Sequence, residues 1–206
     1  HGEKVFIMKR LLLILILMLS FQSLSKADDI RDFEIEGMSI GDSALDFFSK
    51  KTIDDIKSYY PNSRRFFRAT IKYDSDRYDK IQLHIKNSDT SYIIQAISGL
   101  IYFRDRSVSE KECLKIHNEI DADLSSSLSN LKMTKSKKRV LLQDKSGNSF
   151  HFTSYYDFNE EETEYIKLGC VIYGSEYFEK FRYVDHLRLG FNNKDFTYWM
   201  ENEAFK

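Results

Sequence analysis

The 206-residue chain has little proline or glycine and almost no net charge. It contains one proline and eight glycines, and its formal charge is −1. The scarcity of proline and glycine excludes a proline-rich linker and a collagen-like chain, and the balanced charge excludes a strongly basic nucleic-acid binder. The hydrophobic content of 42% and the aromatic content of 15% are typical of a folded globular protein.

Long hydrophobic runs are also scarce, and the one present lies near the amino terminus. The run Leu11–Leu19 follows two basic residues and precedes a polar stretch that ends in Ala27. This order is typical of a secretory signal peptide over residues 8–27, with residues 1–7 as an upstream extension. The alternative is a retained membrane anchor, although the run has about half of the roughly 20 residues that a spanning helix needs.

Cleavage after Ala27 predicts a mature chain of residues 28–206. We expect this chain in the periplasm or outside the cell, without a stable membrane span after the signal peptide is removed. The mature part carries a small negative charge, which argues against a nucleic-acid or anionic-lipid partner. It contains no internal repeat or linker, so the sequence predicts a single domain.

The chain has only two cysteines, Cys113 and Cys170. Cys113 lies on the apolar side of a predicted helix and Cys170 on the apolar side of a predicted strand, so both sulfur atoms are expected to point into a core. In an oxidising compartment such a pair predicts a disulfide. The alternative is a reactive Cys113 with His117 one helical turn later.

Hydrophobic periodicity predicts an α+β fold, an antiparallel meander with helices packed on one face of the sheet. The predicted strands are residues 31–36, 67–73, 80–86, 92–103, 139–143, 150–155, 165–173 and 183–191. The predicted helices begin near Ser39, Thr52, Ser109 and Asp195. Ser39, Thr52 and Ser109 are interpreted as amino-terminal caps, because a carboxylate follows each of them three residues later.

Three local features lead to further predictions. Gly99, inside a predicted strand, indicates a bulge or bend. The basic run Lys132–Arg139 is interpreted as a solvated loop rather than a binding patch. The acidic segment 160–164 is interpreted as a solvated connection, with weak calcium binding as the alternative.

One catalytic pattern is present, Gly37-x-Ser39-x-Gly41, which has the spacing of the α/β-hydrolase nucleophile elbow. It would fall about ten residues into the mature chain, before the strands that this elbow requires. A serine hydrolase is therefore kept as an alternative to the helix cap. The triad to test would be Ser39 with His186 and Asp185 or Asp157.

The other chemistry-bearing residues form no recognisable site. No zinc, haem, redox or phosphate-loop spacing occurs, so we expect no metal and no cofactor. The histidines of the predicted mature chain are expected to face solvent or to make one hydrogen bond; they are His84, His117, His151 and His186. The thirteen tyrosines would suit a carbohydrate or peptide groove, but on strands tyrosine is mainly half-buried with its hydroxyl in water.

Both ends of the mature chain show a resemblance. The signal peptide, the segment Asp28–Ser43 and the late segment Asp185–Arg188 are similar to an uncharacterised family of small secreted proteins from marine bacteria. The resemblance implies a periplasmic or exported protein and brings no activity. The helix opening at Gly37–Ser39 also resembles small outer-membrane lipoproteins that assist barrel assembly, although this chain lacks their lipidated cysteine and is longer.

These observations favour a non-catalytic binding or accessory protein that acts through a groove or an edge of the sheet. Its partner would be an unknown protein or a small-molecule ligand. The alternatives are the small serine hydrolase that uses Ser39 and a structural component of the cell envelope.

Overall fold

The structure is a computed structural model that describes residues 29–73, 75–141 and 144–206. The predicted upstream extension and signal peptide, residues 1–27, lie outside the described residues. Within the described ranges, no helix is both long enough and apolar enough to span a membrane.

The described strands form one antiparallel sheet. Its strands are β1 (Lys57–Tyr59), β2 (Phe66–Ile71), β3 (Lys80–Lys86), β4 (Ile94–Phe103), β5 (Lys132–Val140), β6 (Phe150–Asp157), β7 (Tyr165–Ile172) and β8 (Asp185–Asn192). Their order is β1-β2-β3-β4-β8-β7-β6-β5. The sheet therefore consists of two meanders that meet where β4 pairs with β8, which confirms the predicted meander.

The described residues form four α-helices. They are α1 (Lys50–Asp55), α2 (Ser109–Ser127), α3 (Ser175–Phe181) and α4 (Lys194–Asn202). Helix α2 joins the two meanders and α4 follows the second one. Helix α3, between β7 and β8, was not predicted. The fold is α+β, as expected, but the sheet dominates it.

The main core lies between one face of the sheet and α2. Alternate residues of β7 and β8 point to this face, and the buried stripe of α2 packs on them. Residues 29–48 cover the neighbouring part of the same face, over β2–β4. A disulfide joins Cys113 of α2 to Cys170 of β7, with a Cα–Cα distance of 5.9 Å, so the predicted pairing is confirmed and Cys113 has no free thiol.

Helix α4 packs on the opposite face of the sheet. Its buried residues join side chains from β2 and β4 in a second core, which consists of Phe66, Ala96, Phe196, Trp199 and Ala204. Phe66 and its neighbour Phe67 point to opposite faces, and only Phe67 belongs to the main core. The prediction that the helices pack on one face is therefore wrong, because the face expected to be wet carries an apolar patch that α4 covers.

The first residues of the described chain differ from prediction. A 3₁₀ turn at Ile30–Asp32 and a single bridge between Ile35 and Met38 replace the strand expected at 31–36. The helix expected from Ser39 is reduced to a 3₁₀ turn, which Ser43 caps. Helix α1 is capped by Ser49 rather than Thr52, because the Ser49 hydroxyl accepts the Thr52 amide hydrogen.

The predicted cap of α2 is also wrong. The helix occupies the expected residues, but Val108 is its N-cap residue and makes no side-chain capping bond. The Ser109 hydroxyl instead donates to the buried carboxylate of Asp185. A tertiary partner therefore takes the hydroxyl that local sequence assigns to the cap.

Gly99 makes no bulge. The irregular register between β3 and β4 lies at His84 and Ile85 instead. A Cβ atom on Gly99 would lie 2.3 Å from the Tyr78 ring. The glycine is needed because Tyr78 packs directly on the strand.

The basic run Lys132–Arg139 is a strand rather than a loop. It forms most of β5, which pairs only with β6 and is one edge of the sheet. Lysines on an edge strand discourage pairing with another chain. The acidic segment 160–164 connects β6 to β7, as expected, and its Glu161 and Glu162 pair with Lys194 and Lys132.

Candidate functional site

A groove lies on the sheet face opposite α2, where α4 leaves β6, β7 and β8 uncovered. It has a volume of about 510 Å³, which is in the range of small-molecule sites. Its lining residues are Val140, Leu141, His151, Thr153, Lys167, Gly169, Val171, Tyr173, Tyr177, Tyr183, His186 and Arg188. Among these described lining residues there is no carboxylate.

Two short sequences of the same type form the floor of the groove. Each consists of a cation, a leucine and a glycine: Lys167 to Gly169 in β7, and Arg188 to Gly190 in β8. The antiparallel register sets Lys167 opposite Gly190 and Arg188 opposite Gly169. Both leucines belong to the main core, so both cations point into the groove.

The two glycines are closely approached by the adjacent strands. A Cβ atom on Gly190 would lie 2.5 Å from the Ser98 hydroxyl oxygen, and one on Gly169 would lie 3.3 Å from the Phe152 carbonyl oxygen. Because of the register, each cation faces a residue without a side chain across the strand pair. Lys167 and Arg188 are diagonal neighbours on one face, within reach of a shared ligand.

Neither of the two floor cations has an acidic partner in the described chain. Burial lowers the pKa of Lys167 to about 8, and the positive charge of Arg188 adds to this effect. Burial also lowers the pKa of Arg188; the nearby rings of Tyr60 and Tyr173 act in the opposite direction, and Arg68 reinforces the effect of burial. Both residues are half-buried, and charges removed from water are ordinarily paired, so these two leave positive charge available to a ligand.

The two histidines of the groove are neutral near pH 7. Burial, reinforced by Arg188, lowers the pKa of His186 to about 4. Burial also lowers the pKa of His151, and the charges of Lys167 and Arg139 contribute. His186 Nδ1 donates to the Val184 carbonyl at 2.9 Å, so Nε2 of the neutral ring is an acceptor.

A second cavity, of about 650 Å³, lies at the start of α2. Its wall holds Arg106, Lys111 and Lys115, but also the carboxylates of Glu110 and Asp185. Because charges of both signs share that wall, it does not select a ligand of one charge. The groove does, and it is the stronger candidate site.

The structure does not bring the candidate triad together. The Ser39 hydroxyl donates to the Phe33 carbonyl at 3.0 Å, and Asp42 accepts the Ser39 amide hydrogen at 2.8 Å. Among the described residues, no hydrogen bond joins Ser39 to a histidine. Ser39 lies in the segment that covers the main core, whereas His186 faces the groove on the other side of the sheet.

The candidate acids serve other contacts. Asp185 accepts from Ser109 and from the Tyr173 amide, the latter at 2.8 Å, and thereby fixes the start of α2 beside the end of β7. Asp157 lies at the end of β6, where burial raises the pKa of its carboxyl group. The Ser39 cap prediction is also wrong, because the hydroxyl binds Phe33 instead of the amide near Asp42.

The remaining histidines are structural. His84 is buried beneath α4, and its Nε2 lies 2.8 Å from the Tyr60 hydroxyl. His117 is buried on α2. Neither faces the groove, and His84 is not solvent-facing although it lies on the polar side of β3.

Sequence reasoning missed Lys167 and Arg188. The available signal was the repeated cation–Leu–Gly pattern in two strands predicted to have an apolar face. No family model, curated protein or solved structure matches the chain. Function is therefore argued from the groove itself.

Proposed function

We propose that the protein is a non-catalytic binding protein of an exported compartment, and that an anionic ligand occupies its groove. The observation that carries this proposal is the pair of neighbouring cations, Lys167 and Arg188, on the floor. No described carboxylate neutralises them.

The energetics of charge burial support an anionic ligand. Removing a charge from water costs several kcal/mol unless a partner compensates for it, and the lowered pKa of Lys167 reports this cost. A bound anion would supply the missing charge. A guanidinium group beside an ammonium group can hold two oxygens of one anion, because arginine presents a planar fork of donors.

The disulfide supports the exported location. Paired cysteines persist in oxidising compartments and are rare in the cytosol. Cys113 and Cys170 are joined within the main core, which agrees with the signal peptide expected over residues 8–27.

The proposal is tested by titrating ¹⁵N-labelled protein with sulfate at constant ionic strength. Sulfate is fully ionised across the working pH range and carries no other recognition group. We expect saturable shifts of the amide signals of Gly169 and Gly190, the residues that face Arg188 and Lys167 across the strand pair. The dissociation constant should increase at least five-fold in Lys167→Gln and in Arg188→Gln.

Lys115→Gln is the matched control. It removes the same charge from an exposed position on α2, on the other side of the sheet, and should leave sulfate affinity within two-fold. Absence of saturation, or equal affinity in Arg188→Gln, would refute the anion site. Turnover of an ester or peptide that Ser39→Ala abolishes would refute the non-catalytic assignment.

A further inference from the structure

One wall of the groove is aromatic. Tyr173, Tyr177 and Tyr183 line it, and the rings of Tyr173 and Tyr177 are nearly parallel, with centroids 5.9 Å apart. Tyr173 also lies 6.1 Å from the ring of His186 on the floor, and Phe181 stacks on Tyr183 at 5.6 Å. Aromatic surface therefore runs from the floor, beside the cations, to the mouth of the groove.

Helix α3 contributes to this wall without joining either core. A surface helix normally buries one apolar side, but α3 has no buried residue. Its Tyr177 and Phe181 are one turn apart, with ring centroids at 4.5 Å. Phe181 is 42% exposed and Tyr183 is 48% exposed. Adjacent exposed rings beside a cavity are a surface that a ligand can cover.

A separate contact holds Phe178, the residue that follows Tyr177 in α3. The guanidinium group of Arg106 lies 4.5 Å from the centroid of the Phe178 ring, and Arg106 donates to the Tyr173 carbonyl. This contact orients the helix so that Tyr177 remains at the groove. The aromatic wall is therefore positioned independently of any ligand.

We infer that the ligand is an aromatic acid. Its anionic group binds Lys167 and Arg188 on the floor, and its planar ring lies against Tyr173, Tyr177 and Tyr183. This inference rests on the proposed function, because it extends the anion site along the same groove.

The two parts of the site recognise different properties of the ligand. The cations select charge, and arginine in particular suits the two oxygens of a carboxylate. The tyrosines select a flat ring, because aromatic pairs favour offset and edge-to-face contacts that aliphatic groups do not make. A volume of about 510 Å³ accommodates one small molecule of this kind.

Four probes separate the contributions of charge and ring: 2-naphthoate, its uncharged analogue 2-naphthamide, acetate and sulfate. We expect 2-naphthoate to bind at least ten-fold more tightly than either acetate or 2-naphthamide. Arg188→Gln should abolish the advantage of 2-naphthoate over 2-naphthamide. Tyr177→Ala and Tyr183→Ala should each weaken 2-naphthoate at least five-fold and sulfate less than two-fold.

Tyr198→Ala is the matched control for the ring contacts. Tyr198 is 57% exposed on α4 and lies outside the groove lining, so its loss should change 2-naphthoate affinity less than two-fold. The unfolding midpoint of each variant verifies that it is folded at the temperature of the titration.

The outcomes separate this inference from the proposed function. If sulfate binds and 2-naphthoate binds no better than acetate, the aromatic part is wrong and the anion site stands. If 2-naphthamide equals 2-naphthoate, the joint recognition of charge and ring is wrong. If neither sulfate nor 2-naphthoate binds, both the inference and the proposed function are wrong.

Discussion

The position of Lys167 in the groove changes its acid–base chemistry. It projects from an otherwise apolar strand, its facing residue on β8 is a glycine, and the nearest positive charge is Arg188. Tyr155 and His151 of β6 lie on the same face of the sheet, as does Arg139 of β5. None of these neighbours carries a negative charge near neutral pH, so Lys167 determines how the charge of the floor varies with pH.

Anion affinity should therefore fall as the pH rises through about 8, where Lys167 loses its proton. Arg188 keeps its charge throughout, and burial raises the pKa of Tyr155, which keeps it neutral. We expect sulfate affinity to weaken several-fold between pH 7 and pH 9. NMR titrations at these two pH values measure the change.

Lys167→Arg provides the comparison for this pH dependence. Its guanidinium group stays charged across the interval, so sulfate affinity should be nearly constant from pH 7 to pH 9. A wild-type profile as flat as that of Lys167→Arg would show that Lys167 does not contribute its charge to binding.

The same residue should reduce stability while it supports binding. Lys167→Met keeps a long side chain and removes a half-buried charge that has no acidic partner in the described chain. We expect the free energy of unfolding at pH 7 to rise by about 1–3 kcal/mol, while sulfate affinity falls at least five-fold. Urea denaturation and the sulfate titration measure the two effects.

The stability gain should depend on pH. Between about 8 and the ordinary lysine value of 10.5, the unfolded wild type binds the proton that the folded protein has lost, so its stability rises with pH. The advantage of Lys167→Met is therefore greatest below pH 8 and shrinks toward pH 10. A variant less stable than wild type at pH 7 would contradict the charge-burial explanation.

Among the elements of the fold, β7 connects the core to the groove. Cys170 points from this strand into the main core, whereas Lys167 and Gly169 form the groove floor. The disulfide to Cys113 fixes α2 directly behind the strand. The disulfide therefore restrains the same strand that carries the groove floor on its other face.

Removal of the disulfide should cost most of the stability that a large closed loop provides. The two cysteines are 57 residues apart, for which the chain-entropy estimate is about 4 kcal/mol. We expect Cys113→Ala/Cys170→Ala to lower the free energy of unfolding by about this amount, measured by urea denaturation. Equal stability of the oxidised wild type and the double variant would contradict a structural role for the bond.

Helix α3 shows why element prediction failed where it did. Tyr177 and Phe181 are one helical turn apart, but the helix has only 7 residues, which is fewer than hydrophobic periodicity needs to predict a helix. The basic strand β5 was missed for another reason. Most of its described side chains are exposed, and its structure depends on pairing with β6.

For the whole molecule, the expected exported state gives a prediction about covalent structure. Protein recovered from the periplasm should have the mass of residues 28–206 less two hydrogens, because we expect cleavage of the signal peptide and formation of one disulfide. An alkylating agent should add no mass before reduction and two adducts after it. Intact mass spectrometry measures both.

A mass that includes residues 8–27 would contradict cleavage and favour the retained anchor. An alkylated thiol before reduction would show that the disulfide does not form in the cell. A fluorophosphonate adduct on Ser39 would favour the serine hydrolase and contradict the non-catalytic assignment.

The amino-acid sequence by itself determined most of the longer strands, the long helix and much of the core. A period of two in β2, β3, β7 and β8 reports burial of one face, and the stripe on α2 reports burial of one helical side. Both patterns are local consequences of the hydrophobic effect, so they can be recognised in the sequence before the fold is known. The cysteine pairing follows from the same patterns, since both residues occupy apolar positions.

Tertiary structure alone decided which polar residues meet. Ser109, which resembles a cap, donates to the distant Asp185, because a buried acceptor competes with the local amide. Lys167 and Arg188 are 21 positions apart in sequence, and the register of β7 on β8 makes them neighbours. Both cations are accessible in one groove because α4 does not cover this part of the sheet.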